Sequence, residues 1–267
     1  NTIQTIDNVN YLTKYFQVEL IFPLREKESS DRKDNFIQYY DIEESVTLRG
    51  IAHKYPFGKI KYFESLFFLI SHFLWAKKYV KKIDDSINDN FFTRSDWIFY
   101  FLSQKNKNVT FECHQLSKIR RFVMRQAINK PNSKIIFLNN LLMQDSKLNL
   151  IKHKNKLIVL HNGVDEKLFA QNVKKDENKV IFIGNLKRFN KSRNLEFFIS
   201  AFSKSNMPNN LTFTIIGHPK NEIEKLKKFV KKNKLEKKIK LINRLERKSA
   251  IAEIQESSVG LLINTDN

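Results

Sequence analysis

Four cations crowd one loop of the chain. Lys187, Arg188, Lys191 and Arg193 follow Gly184-Asn185 and precede a helical pattern that starts near Asn194, while the apolar run Val180-Ile-Phe-Ile183 leads into the glycine. Cationic side chains beside a helix N-terminus suit an anion, because the unpaired backbone N–H groups and the helix dipole add to their charge. The alternative is a loop of solvated charges. Gly217-His218 closes a second apolar run, Leu211 to Ile216, and reads either as part of a ligand site or as a plain turn. His114 follows a third strand-like run, Asn108 to Glu112. Open α/β sheets bind ligands at the carboxyl ends of their strands, so an imidazole there is a candidate for ligand contact, against a histidine that only caps the strand end. Cys113, one residue earlier, points to the other face of that strand and is expected to be buried, not nucleophilic.

These residues need strands and helices to hold them. From Asn88 the pattern alternates: a strand near Phe91 and Phe92, a helix from Ser95 to Gln104, the Asn108 strand, a helix Lys118 to Ile128 carrying Ile119, Phe122, Val123 and Ala127, and a strand Lys134 to Leu138. Asn139 then caps a helix through Leu148, and Leu157 to Leu160 forms a short buried strand. Strands alternating with helices of this length predict parallel βαβ units. After the interdomain crossing the scheme repeats, with strands at Lys179 to Ile183, Leu211 to Ile216, Ile239 to Ile242 and Val259 to Ile263, and helices after Asn194, from Asn221 to Asn233 and from Arg247 to Gln255. Between the halves, Asn162-Gly163 ends a strand with a dipeptide that tolerates positive φ, and Asp165 has the side chain of an N-cap. Residues 166–178 read as an interdomain linker, residues 1–165 as one domain and 179–267 as a second. Upstream, Thr2 to Tyr15 reads as a helix, Val18 to Phe22 as a strand ended by Pro23, Leu24 to Ile60 as irregular, and Tyr55 to Gly58 as a turn. The first domain lacks the expected opening strand, and the second stops before its sheet is finished.

Composition narrows the class. The 267 residues fit two domains, and 41% hydrophobic and 12% aromatic content describe a globular chain. A single cysteine excludes an internal disulfide and fits a reducing, cytoplasmic setting. The most apolar run, Leu66 to Ala76, is shorter than the about 20 residues that cross a bilayer. It lies in a helical pattern from Phe63 to Val80 flanked by lysines, which reads as a core helix with snorkelling Lys stems or as an interfacial helix on anionic lipid. The formal net charge is +20, and residues 219–250 hold thirteen Lys or Arg against four Asp or Glu. Nucleic-acid binding would want aromatics interleaved with such a stripe, and this one offers only Phe229, so an anionic membrane surface or a lipid-phosphate acceptor accounts better for the charge.

Taken together, the motifs resemble the group 1 family of retaining, nucleotide-sugar-dependent glycosyltransferases. Val109-Thr-Phe-Glu-Cys-His114 is similar to that family's strand ending in Glu-x-His, and His161-Asn-Gly-Val-Asp165 with Phe169 to its interdomain crossing. Val180 to Leu186, the basic loop and Ala201-Phe202 resemble its strand-Gly-x-Leu, Lys-Gly and Ala-Phe series, with Leu211 to Gly217, Leu235 to Ile242 and Val259 to Ile263 in the expected order. The likeness runs from about Phe91 to the end. It implies an α/β chain of GT-B fold, two Rossmann-like domains with parallel sheets, the C-terminal one incomplete.

The resemblance also implies roles. His114 would touch the donor sugar and the charge developing on it. Gly184, Asn185, Arg188, Lys191, Arg193, Gly217 and His218 would line the donor site, with Asn162, Gly163 and Asp165 at the interdomain turn. The family commonly has an Arg where this chain has Asn185, and its Lys-Gly pair falls on Arg193-Asn194 or on Lys191. Its paired glutamates seven residues apart have no counterpart here. No metal or other cofactor is expected, the nucleotide-diphosphate sugar being a co-substrate. The partners implied are that donor, a glycan or lipid-linked acceptor and an anionic membrane surface on the cytoplasmic side, but no nucleic acid. The rival readings are a nucleotide-sugar epimerase of the same fold and a non-catalytic basic protein that binds membrane or nucleic acid.

Overall fold

A computed structural model describes residues 2–24, 33–53, 64–84, 86, 89–163, 173–188, 191–204 and 208–263. The chain divides into two compact units, one made of Glu19–Arg32 and Thr47–Gly163, the other of Asn1–Val18, Lys33–Val46 and Val164–Asn267.

The first of these units opens with strands β1 (Glu19–Leu24) and β2 (Thr47–Ala52), paired in parallel. Pro23 lies inside β1 instead of ending it, opposite Ile51. Each of these strands has a neighbour on one side only, so a residue without an N–H is tolerated there. The expected irregular stretch thus contains a strand; the predicted turn at Tyr55 to Gly58 falls outside the described residues. Helix α3 (Glu64–Lys81) follows, and then β3 (Asn90–Thr93), α4 (Asp96–Gln104), β4 (Asn108–Cys113), α5 (Lys118–Ala127), β5 (Ser133–Phe137), α6 (Asn140–Asp145) and β6 (Leu157–Val159). The last four strands form a parallel sheet in sequence order, β3-β4-β5-β6.

The caps explain where the helices begin. Ser95, Ser117 and Asn139 each turn a side-chain oxygen onto the backbone N–H three residues on, at Ile98, Arg120 and Leu142. Each satisfies one of the donors that a helix start leaves unpaired. Val109, Phe111 and Cys113 of β4 and Ile135 and Phe137 of β5 are buried against Phe99 and Leu102 of α4 and Val123 and Met124 of α5. Ala76 and Val80 bring the C-terminal half of α3 into the same core.

The second unit is built on β7 (Asp176–Asn185), β10 (Thr212–His218), β11 (Ile239–Asn243) and β12 (Ser257–Gly260), a parallel sheet in the order β11-β10-β7-β12. Helices α7 (Leu195–Lys204), α8 (Lys220–Lys232) and α9 (Arg247–Gln255) connect them. Leu195, Ile199 and Phe202 share the buried face of α7, and Ile223, Leu226 and Val230 that of α8, as 3.6-residue periodicity requires. The first three residues of β7 lie in the segment expected to be linker, and β12 ends at Gly260, short of the expected Ile263.

Two helices from the front of the chain, α1 (Thr2–Leu12) and α2 (Lys33–Tyr40), belong to this second unit. Ile6, Val9, Ile42 and Val46 are buried there. Asp7 pairs with Arg247 at 2.5 Å, Asp41 with Lys248 at 3.0 Å, and the Asn10 amide donates to the Asp41 carbonyl at 2.7 Å. Residues 1–165 are therefore not one contiguous domain: the chain passes between the units before it reaches the alternating region. Ion pairs more than 200 residues apart in sequence decide this, and no local pattern announces them.

Candidate functional site

The sheet of the second unit presents three strand ends side by side. Gly217 stands opposite both Gly184 and Asn243, and His218 opposite Asn185. Gly217 and His218 are thus the last residues of β10, which carries the strand two residues past Ile216 and excludes the plain-turn alternative. A Cβ on Gly217 would sit 2.4 Å from the Gly184 carbonyl oxygen, so the close approach of β7 and β10 at this edge requires glycine. Leu186, buried just past β7, donates its N–H to the His218 carbonyl at 2.9 Å and accepts from the Arg193 N–H at 3.1 Å. That clamp fixes both ends of the basic loop.

Between them the loop forms a hairpin, β8 (Lys187–Arg188) paired antiparallel with β9 (Lys191–Ser192). The side chains of Arg188 and Lys191 lie outside the described residues. Lys187 pairs with Glu222 of α8 at 2.8 Å, a carboxylate that also meets Lys225 at 2.8 Å and whose pKa is lowered by the two lysines. Arg193 turns inward: its guanidinium lies 5.8 Å from the Phe182 ring centroid and Nη1 donates to the Ile263 carbonyl, while Nε is buried without a hydrogen-bond partner. Asn194, at φ 50°, makes the bend into α7, and its N–H bonds the Ser192 hydroxyl at 3.1 Å. The edge therefore combines a glycine floor, a basic hairpin and a helix start, the setting expected for a diphosphate. Within it, however, Lys187 already has a carboxylate partner and Arg193 is tied to the backbone.

His218 is held neutral. Burial, and after it the charge of Arg244, lowers its pKa below the usual 6.5. Arg244 follows the last residue of β11 and is exposed. Its guanidinium lies 4.8 Å from the Tyr39 ring centroid and Nη2 lies 3.4 Å from the Tyr40 hydroxyl. Sequence reading missed Arg244, although a charged residue directly after a strand at the ligand edge was a usable signal.

In the first unit the strand-end imidazole has company. Glu112, a buried carboxylate, accepts from Arg94 Nε at 2.5 Å and lies 3.2 Å from His114 Nε2. The Nε2 approach lacks hydrogen-bond alignment. Burial and then Arg94 lower the His114 pKa, with Glu112 working the other way. The neutral ring therefore dominates near pH 7. Behind it, Arg120 grips Asp96 through Nε at 2.5 Å and Nη2 at 3.1 Å, and donates from Nη1 to the Gln115 carbonyl at 2.8 Å, fixing the loop that follows His114. Cys113 is buried as expected, its thiol pushed up to about 11 by burial.

At the predicted interdomain turn, Asn162 and Gly163 are exposed, and neither adopts positive φ; Asp165 and Phe169 fall outside the described residues. Among the described residues no group of three or more His, Cys, Asp or Glu side chains is placed to hold a metal ion.

Residues 164–262 match the sequence profile of the glycosyl transferases group 1 family. Over these residues the chain is similar to that family. The group 1 region begins where the chain passes into the second unit for the last time, at Val164, and takes in β7 to β12, the hairpin and the glycine-lined edge. Solved structures show the fold more widely. A glycosyltransferase from Rickettsia africae ESF-5 superposes with a TM-score of 0.52 at 16% identity over 96% of this chain and 67% of its own. The lipopolysaccharide outer core galactosyltransferase WaaB superposes with 0.51 at 10% over 98% and 70%. S. aureus MnaA, solved with UDP, gives 0.51 at 10% over 91% and 73%. Against TarM the chain spans 39% of the other protein's length. The fold is that of the GT-B glycosyltransferases, with parallel sheets in both units. No curated protein matches the chain by sequence.

Proposed function

We propose that the protein is a glycosyltransferase that moves a hexose-type sugar from a nucleotide-diphosphate donor to a glycan or lipid-linked acceptor, with retention of anomeric configuration, in surface polysaccharide or lipopolysaccharide synthesis. One observation carries this reading most: the strand ends Gly184, Gly217 and Asn243 lie in register at one edge, with the Lys187–Ser192 hairpin and the start of α7 beside them, inside the group 1 region. The UDP in MnaA and the galactosyl transfer in WaaB's name agree with a nucleotide-sugar donor on this fold. Gly184, Asn185, Gly217 and His218 line the donor diphosphate and nucleoside, with Arg188, Lys191 and Arg193 supplying positive charge in place of a metal. His114, kept neutral by burial and Arg94, is the group offered to the donor sugar. The donor phosphate assists deprotonation of the acceptor hydroxyl.

A membrane-borne acceptor agrees with α3. Leu66, Phe67, Ile70 and Leu74 are exposed along its first three turns, and Lys77, Lys78 and Lys81 beyond them, while Ala76 and Val80 hold it to the core. Apolar residues beside cations favour an anionic bilayer surface.

Nucleotide titration tests the donor reading. UDP, ADP and GDP are titrated calorimetrically with and without EDTA; at least one binds, and EDTA leaves its affinity unchanged. Absence of binding by all three refutes the donor site, and loss of binding with EDTA refutes metal-free neutralisation. Sedimentation with vesicles of anionic against zwitterionic lipid tests the membrane reading, which fails if neither pellets the protein.

A further inference from the structure

Arg94 is a strand-end cation of the first unit that no sequence motif assigned. It follows β3, whose Thr93 stands opposite Phe111 of β4, so the next step along the two strands brings Arg94 beside Glu112. Glu112 and His114 lie two residues apart, and alternation puts both on one face of the sheet, with Cys113 on the other. All three side chains of the group Arg94, Glu112 and His114 are largely buried. A buried ion pair adds little stability beyond what an apolar pair of the same size would give, so its position beside the strand-end imidazole calls for another use.

The carboxylate meets the cation with one oxygen and the ring with the other. Arg94 Nε donates to Glu112 Oε2 at 2.5 Å, and Oε1 lies 3.2 Å from His114 Nε2. A carboxylate offers only acceptors, so the ring nitrogen facing it carries the proton, and Nδ1 keeps the lone pair of the neutral imidazole. The approach is out of line, as contacts between catalytic groups often are before substrate arrives, and rotation of the ring closes it. Charges on the helices behind are already committed, because Arg120 of α5 grips Asp96 of α4 and the Gln115 carbonyl.

We propose that Arg94 is a positioning residue for His114 and acts through Glu112. It fixes the carboxylate that receives Nε2–H of the ring, which leaves Nδ1 to accept from a hydroxyl of the substrate. This rests on the reading of His114 as the group offered to the donor sugar.

Two measurements test it. Histidine side-chain nitrogen NMR at pH 8, above the lowered pKa of His114, reads the neutral ring directly, with H114A identifying its signal. In the unchanged chain the proton should sit on Nε2, and R94Q should show both neutral forms. A ring protonated on Nδ1 in the unchanged chain, or the same ring signal in R94Q, overturns the inference. Release of nucleoside diphosphate from UDP-galactose, ADP-glucose and GDP-mannose supplies the kinetics. On the best of these donors R94Q should lower kcat by about 10- to 100-fold with KM within about threefold, the scale of a displaced catalytic group. R94K keeps a cation on Glu112 and should fall less far. Added to H114A, R94Q should change kcat by less than about twofold, because residues that act as a unit are not additive. A loss of the same size in both backgrounds overturns the inference, since Arg94 then touches the substrate itself. R94Q leaves Glu112 buried without its cation. If that variant fails to fold, E112Q and R94Q/E112Q replace it, and a different ring protonation between those two overturns the inference. Should the unchanged chain turn over none of the three donors, the donor reading fails, while the NMR still decides whether Arg94 orients the ring.

Discussion

Gly184 and Gly217 look alike in sequence, each ending an apolar run, yet the structure separates them sharply. In Gly217→Ala the new carbon would stand 2.4 Å from the Gly184 carbonyl oxygen and 3.1 and 3.2 Å from Leu186 Cδ2 and Cγ. A carbon and a carbonyl oxygen need at least about 3.3 Å, so β10 and β7 must part by roughly 1 Å there. The 2.9 Å bond from Leu186 N–H to the His218 carbonyl is then stretched beyond useful length. Overpacking costs about 1–3 kcal/mol and a weakened hydrogen bond about 1 more, for a total of about 2–4 kcal/mol. At about 3–4 °C per kcal/mol, the melting temperature of this unit falls by about 6–16 °C. A Cβ on Gly184 would meet only Phe182 Cζ at 3.5 Å and Cε1 at 4.0 Å, ordinary contacts. Gly184→Ala therefore costs no more than about 0.5 kcal/mol. Scanning calorimetry of the two variants beside the unchanged chain decides the matter. Equal melting temperatures for the two variants, or a larger loss for Gly184→Ala, would refute the argument that the approach of these strands makes Gly217 obligatory.

Three further outcomes are expected. The lowered pKa of His114 means that the unfolded chain takes up this proton at a higher pH than the folded one. Its contribution to stability is therefore whole above pH 6.5 and declines as the pH falls below it. Histidine NMR titration should show the shift, and Glu112→Gln should move it further down, because the carboxylate is what opposes burial and Arg94; an upward move sinks the assignment. Cys113 should resist iodoacetamide at pH 8 in the native protein and react once unfolded, since burial and a thiol pKa of about 11 leave little thiolate; mass spectrometry reads the adduct, and rapid native labelling contradicts the structure. Arg120→Lys should destabilise by about 1–3 kcal/mol, because an ammonium cannot bridge both Asp96 oxygens and the Gln115 carbonyl at once. Denaturant melts measure it, and no change would mean that the fork contributes nothing.

Local information determined much of this protein. Periodicity alone located the parallel βαβ units from Phe91 onward, because a buried strand followed by a one-faced helix leaves a pattern that no other arrangement shares. Asn139 was legible as a cap for the same reason: a polar oxygen before an apolar helical run has one local use. The strand-end positions of His114 and Gly184 followed from those elements. What sequence could not show is which strand ends lie side by side and what each side chain finds there. Pro23 and the β2 strand were misread because pairing between β1 and β2 is decided across more than twenty intervening residues. That Lys187 meets Glu222 and that the Arg193 guanidinium reaches the Ile263 carbonyl could not be read from the loop's composition. The membership of α1 and α2 in the second unit, and the aromatic seat of Arg244 on Tyr39, rest on contacts separated by some 200 residues. Such contacts leave no period or spacing in the chain, since each is one pair among many possible, and only packing of the whole unit selects it.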